Sequence, residues 1–167
     1  RSPNNGFKLK NKEIPYAKGE VKNNFTKAMS NPQTQASEIW STKLPFSMQN
    51  MVLADVTSRL LEMQYLRTIR EQLSAAYHAG ATFGMLRDFD DKASIISITA
   101  NAGLNPEKAD TAITYFFKGV DEVEKQVDAA DLQKVKEILL KQAGVDEKNN
   151  AYWLGVLANY TGLSFDN

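Results

Sequence analysis

Arg70 and Tyr77 stand seven positions apart across a change in local pattern, and their side chains suit one kind of chemistry. A guanidinium carries five N–H donors and a phenol carries one O–H. Together they can hold peptide carbonyl oxygens or a developing oxyanion. The pattern places Arg70 near the end of a helix and Tyr77 at the start of the following strand. The link Glu71-Gln72-Leu73-Ser74-Ala75-Ala76 is short enough for both side chains to face one cleft at a sheet edge. The same residues allow a plainer reading, in which Arg70 caps the helix or pairs with Glu71 or Glu62 and Tyr77 simply packs.

The other reactive residues point to less. His78 is the only histidine and there is no cysteine, so no conventional histidine or cysteine zinc site can be assembled within the chain. Thiol catalysis and disulfides are excluded on the same count. His78 alone could serve as a general base, but beside strand-forming residues it reads as a packed side chain. Asp88, Asp90 and Asp91 resemble part of a calcium loop without its glycine and distal glutamate, so a solvated hairpin turn is expected. Asp121, Glu122, Glu124 and Asp128 line the wet face of a helix whose other face carries Phe116, Val120 and Val127. No G-x-S-x-G elbow and no phosphate-cradling glycine loop is present.

Elements able to position Arg70 and Tyr77 can be read from periodicity. Residues 1–20, broken by Pro3, Gly6, Pro15 and Gly19, form an irregular lead-in, and residues 21–167 one domain. Val21–Met29 and Thr34–Thr42 predict a hairpin around Ser30-Asn31-Pro32. Pro45 stops the extended chain and Ser47 is placed to cap a helix. Met48, Val52, Val56, Leu60 and Met63 predict its apolar stripe, and the helix continues, with a bend, through Leu66, Ile69 and Leu73.

The period then changes. Tyr77–Leu86 and Ala93–Asn101 predict a second hairpin, with Ala79, Ala81, Phe83 and Met85 on one face of the first strand. Ile96, Ile98 and Ala100 share a face of the second. Asn105 and Pro106 open a helix with Ala109, Ile113, Phe116, Val120, Val123 and Val127 inward. Asp128 and Asp131 open another through Leu132, Val135, Ile138 and Leu139. A last helix starts near Asn150 and carries Tyr152, Trp153, Val156 and Leu157. Two strands, a long helix, two strands and then helices predict an α+β fold: an antiparallel sheet with helices packed on one face.

Composition bounds the function. The 167 residues, 43% hydrophobic and 24% charged, suffice for one domain with a real core. Twenty basic and twenty acidic residues cancel, so the whole chain has no electrostatic case for nucleic acid. Residues 1–30 carry seven Lys/Arg against two Asp/Glu, and the rest thirteen against eighteen, so the lead-in is basic and reads as a solvated linker. No apolar run approaches the ~20 residues of a membrane span. The start at Arg1 and the unclosed end at Asn167 suggest an excised piece, incomplete at both ends.

Arg70-Glu71-Gln72-Leu73-Ser74-Ala75-Ala76-Tyr77 resembles the Arg-Glu-x-x-x-x-x-Tyr signature of the pitrilysin/insulinase family of zinc peptidases, which includes the processing peptidases. Asn50-Met51-Val52-Leu53-Ala54-Asp55-Val56-Thr57-Ser58-Arg59-Leu60-Leu61 resembles the helix that precedes the signature there. Asn149-Asn150-Ala151-Tyr152-Trp153-Leu154 resembles the Asn…Trp helix start of bacterial members, and the likeness covers residues 20 to 162. The resemblance implies a chamber of two similar halves. Zinc sits on a His-x-x-Glu-His helix in the amino-terminal half, and the Arg…Tyr pair of the carboxy-terminal half holds the substrate backbone.

This chain, with the pair and without the motif, is then a processing-peptidase-like domain of the carboxy-terminal half. Its zinc is bound by another domain, its peptide substrate is oriented by Arg70 and Tyr77, and it is inactive alone. Many members place a glycine between the two residues, where this chain has Ser74, Ala75 and Ala76. Two other readings stay open: a non-catalytic partner subunit of the same fold, and an unrelated peptide- or nucleic-acid-binding domain using the basic lead-in. The resemblance and the missing cysteines favour a periplasmic address over a cytoplasmic one.

Overall fold

Pro45 ends an extended run, and the chain turns at once into a helix. The computed structural model describes residues 30, 32, 34–45, 47–87 and 93–162. Thr34–Pro45 is strand β1, and Ser47 caps helix α1 (Met48–Tyr65) by accepting from Asn50 N at 3.1 Å. That oxygen satisfies one of the first-turn amides, which have no helical partner. Asn50 Nδ2 donates to Pro45 O at 2.8 Å and closes the corner. A π-helical stretch, Leu66–Gln72, extends α1 and leads to β2 (Ala76–Arg87) and β3 (Ala93–Leu104). A 3-10 turn, Pro106–Lys108, precedes α2 (Ala109–Lys125), α3 (Ala129–Asp146) and α4 (Asn150–Gly162).

β3 lies between β1 and β2 and is antiparallel to both, so β1 and β2 run parallel and α1 carries the chain across the slot that β3 fills. The expected α+β architecture is present, with three strands among the described residues. The strand expected over Val21–Met29 and the turn holding Asp88, Asp90 and Asp91 lie outside them. β3 runs three residues beyond the expected end at Asn101.

The helices cover the sheet face built from Ala79, Ala81, Ala100 and Ala102, all buried. Methyl side chains on this face let α1 come close, and the helix buries Ala54, Ser58, Leu60, Leu61 and Tyr65. The expected stripe is therefore corrected. Met48 and Val52 are 68% and 53% exposed, and of that set Leu60 is buried. In α2 Ala112, Phe116 and Gly119 are buried and Ala109, Val120 and Val123 pack against the core as expected, while Ile113 is exposed, as is Val127 beyond the helix end. Gly119 marks the close approach of α2 to α1, where the Tyr65 ring lies against it.

Tyr65 joins the layers. Its Oη donates to Phe116 O at 3.1 Å, and the rings meet edge to face with centroids 4.9 Å apart. Burial, with Glu38 nearby, pushes the Tyr65 phenol above its ordinary range.

Asp128 caps α3, its Oδ1 accepting from Ala130 N and Asp131 N at 2.8 and 2.9 Å. Asp131 is buried against Arg67, which donates to its Oδ2, while Lys134 lies 3.2 Å from Oδ1. This pair ties the π-helical stretch to α3. The Arg67 hydrogen bond holds the Asp131 carboxyl below its usual range, against the opposing effect of burial. A depressed folded-state pKa contributes stability above the unfolded value of about 3.9, and that contribution is lost as pH falls through the folded value. Because Arg67 is 44% exposed and screened, Asp131→Asn is expected to cost about 1 kcal/mol at pH 7. In urea unfolding the gap between the two proteins should narrow as pH falls below about 3.9.

The described side chains of α4, Asn150–Leu157, are all exposed, including Tyr152, Trp153, Val156 and Leu157. Trp153 Nε1 donates to Glu147 O at 2.8 Å and so fastens α4 to the end of α3 rather than to the core.

Candidate functional site

The topology brings three segments to one end of the sheet. β2 begins there, β3 ends there, and β1 begins there, since Ala76 and Thr34 both pair with Leu104. The link from α1 to β2 crosses this end, and the 3-10 turn before α2 starts beside it. Arg70 and Tyr77 flank that link.

The link is irregular at three successive points. Leu73 N donates to Thr68 O at 3.0 Å, five residues back, and Ala75 N donates to Ile69 O at 3.0 Å, six back. These bonds mark a widened, π-type helix end, a rare geometry that is frequent at functional sites. Ser74 follows at φ +48°, the one non-glycine residue at positive φ among those described. The register then slips between Ala76 and His78, which leaves Tyr77 as the extra residue of a β-bulge. Such a bulge re-aims a side chain.

Ser74 thus adopts a backbone region that favours glycine. A side chain there costs roughly 1 kcal/mol. Ser74→Gly is expected to raise stability by about 0.5–1 kcal/mol, part of the relief being offset by the greater freedom of unfolded glycine. Ser74→Val should lower it, and urea denaturation of the two variants checks both signs.

Arg70 is exposed on the π-helical stretch and Tyr77 is 75% exposed. Among the described residues neither side chain has a hydrogen-bond or ion-pair partner. Arg70 pairs with neither Glu71 nor Glu62, and Tyr77 does not pack, so the plainer reading of these two residues does not hold. Both stand on open surface. The apolar groove of about 520 Å³, lined by Leu53, Val56, Leu60, Val120, Val123 and Leu132, lies between helices and includes neither.

His78 is exposed as well, on the sheet face away from the helices, which corrects the expectation that it packs. It sits across from Gly103. A Cβ at Gly103 would lie 3.6 Å from His78 Nδ1 and 3.3 Å from Gln35 Nε2, so the bare glycine leaves the two side chains room on either side. No three His, Asp or Glu side chains converge as metal ligands among the described residues. This chain's residues do not fit a zinc site. Glu122 accepts from Gln64 and Asp128 caps α3, so two members of the acidic cluster have structural partners.

Two residues that shape the link escaped the sequence reading. Asn105 N donates to Ala75 O at 2.9 Å. Lys108 Nζ donates to Leu73 O at 2.9 Å and to Ser74 O at 3.4 Å. The cap signal Asn105-Pro106 was visible in the sequence, but a lysine reaching back over more than thirty residues leaves no local trace.

No protein family and no curated protein matches the chain. Among solved structures it resembles the periplasmic protease PqqL from Escherichia coli, with a TM-score of 0.64 and 18% identity. The match covers 79% of this chain and 14% of that one, so this chain spans a small part of that protein's length. At this identity the likeness speaks for the fold: three antiparallel strands under helices, as one segment of a protease chain carries them.

Proposed function

We propose that this chain is the substrate-holding, zinc-free domain of a pitrilysin-type metalloendopeptidase, with residues 1–20 as linker and 21–167 as part of the carboxy-terminal half. The observation that carries the reading is the pair Arg70 and Tyr77, exposed, without a hydrogen-bond or ion-pair partner among the described residues, and set on two adjacent backbone irregularities. A guanidinium and a phenol so placed are available to the carbonyl oxygens of an extended peptide. The similarity to a periplasmic protease supports it, as does the signature that spans these residues.

In this reading the amino-terminal half, on the same or a partner polypeptide, supplies the zinc and the second wall of the chamber. Arg70 and Tyr77 donate hydrogen bonds to the substrate backbone near the scissile bond and stabilise charge that grows on its carbonyl oxygen. The peptide is thereby held in one register while the other half carries out hydrolysis. A periplasmic address goes with the proposal; no described helix is long and apolar enough to cross a membrane.

The test is made in the complete enzyme. Arg70→Ala and Tyr77→Phe should each lower turnover while zinc content stays at the wild-type level. Full turnover in both variants would reject the assignment. A polypeptide with no zinc-bearing half, and none in a partner, would leave the fold as a peptide-binding subunit.

A further inference from the structure

We infer that Lys108 is a positioning residue for the Arg70–Tyr77 pair, an inference that rests on the peptide-holding reading of that pair. Leu73, the C-cap of the widened helix end, carries on its carbonyl part of the negative end of the helix dipole, and Ser74 lies one residue beyond it. Lys108 Nζ donates to both, at 2.9 and 3.4 Å. A cation at a helix C-terminus is favourable, and its hydrogen bonds satisfy carbonyls that the helix leaves free. Among the described residues no carboxylate pairs with Lys108, so its ammonium is given to these two oxygens.

Lys108 is itself held in place. Asn105 Oδ1 accepts from Glu107 N at 3.0 Å, Pro106 fixes the first turn, and Lys108 N donates to Asn105 O at 3.0 Å. The same Asn105 grips Ala75 O through its backbone N–H. One short turn therefore grasps the link at three consecutive residues. The Ala75 contact is packed, with that residue 1% exposed, while the lysine contact lies at the surface. Ser74 at positive φ has other backbone regions open to it. Relaxation there would change the angle at which the chain enters β2, and the bulge that aims Tyr77 begins two residues later. Lys108 holds the conformation that sets both side chains without touching either.

Lys108→Met keeps most of the stem and removes the donors, and Lys108→Arg restores donors. In native-state hydrogen exchange of this chain, the Ala75 and Asn105 amides should exchange about tenfold faster in Lys108→Met and near the wild-type rate in Lys108→Arg. Amides in the middle of β3 should be unchanged. In the complete enzyme, Lys108→Met should lower kcat about tenfold with KM nearly constant and zinc content intact. Added to Arg70→Ala with Tyr77→Phe, it should cost nothing more, because it acts through them.

Unaltered exchange at Ala75 and Asn105 would overturn the clamp. Faster exchange with full turnover, or losses that multiply across the combined variant, would overturn the positioning role. If Arg70→Ala and Tyr77→Phe both keep full turnover, the peptide-holding reading falls and this inference with it. If those two lose turnover and Lys108→Met does not, the inference alone falls.

Discussion

Gly119→Val is expected to cost about 3 kcal/mol, enough to lower the unfolding midpoint by about 10 °C in a domain of this size. A Cβ at Gly119 would fall 2.5 Å from Tyr65 Cε1 and 3.2 Å from Cδ1. The ring cannot move aside. Tyr65 is fully buried, its Oη is bonded to Phe116 O, and its edge is set against the Phe116 ring. The approach of α2 to α1 depends on the missing side chain, so any larger residue pushes the two helices apart. Helix propensity acts in the opposite direction, since glycine inside a helix costs roughly 1 kcal/mol relative to alanine.

Gly144 separates the two effects. It lies in α3 with nothing within 4 Å of where its Cβ would be. Gly144→Ala should therefore stabilise by up to about 1 kcal/mol, while Gly119→Ala should destabilise despite the same propensity gain. The combination of Tyr65→Leu with Gly119→Ala should be less damaging than the sum of the single changes, because the clash is lost with the ring. Wild-type stability in Gly119→Val would mean that the helices are not packed through this contact.

The same close packing explains what could and could not be read from the sequence. Ser47, Asn105-Pro106 and Asp128 announced three helix starts, because capping is local chemistry and each cap bonds an amide two or three residues on. The period-two placing of Ala79, Ala81, Phe83 and Met85 showed the inner face of β2, on which Ala79 and Ala81 are buried. The inner face of α1 was misjudged in its first turns, where Met48 and Val52 are left outside while Ala54 and Ser58 are buried. In α2 the expected Phe116 is buried and Ala109, Val120 and Val123 pack against the core, and the buried small residues Ala112 and Gly119 are what size alone did not show.

At the candidate site, the residue types and their spacing were legible, and the backbone was not. The resemblance raised the missing glycine as a weak point in the link. The structure answers it with Ser74 at positive φ, a widened helix end and a bulge. None of these has a sequence signature. The widened end is closed by Leu73 N to Thr68 O and Ala75 N to Ile69 O, the bulge belongs to the pairing with β3, and the link is gripped from about thirty residues away by the Asn105–Lys108 turn.

On the proposed peptide-holding reading, loss of the Arg70 or Tyr77 donors carries the largest expected effect on function. In the complete enzyme, Arg70→Ala is expected to lower kcat about a hundredfold, the usual range for removing a donor aimed at a developing oxyanion. Tyr77→Phe, which removes one hydroxyl and keeps the ring, should cost somewhat less. Neither change should disturb folding, because both side chains are exposed and make no bond within the described residues. Their stability in urea and their zinc content thus serve as internal controls. If the two donors act on one carbonyl, the double variant should fall well short of the product of the single losses, since a substrate freed at one donor is already poorly placed for the other. If they hold different carbonyls of the peptide, the losses should multiply. Arg70→Lys sharpens the distinction. It keeps the charge but replaces the planar fork with a point donor, so recovery of turnover would assign a general electrostatic role. Failure to recover would assign the geometry of the guanidinium itself, as expected for a residue set on a π-helical turn to meet an extended backbone.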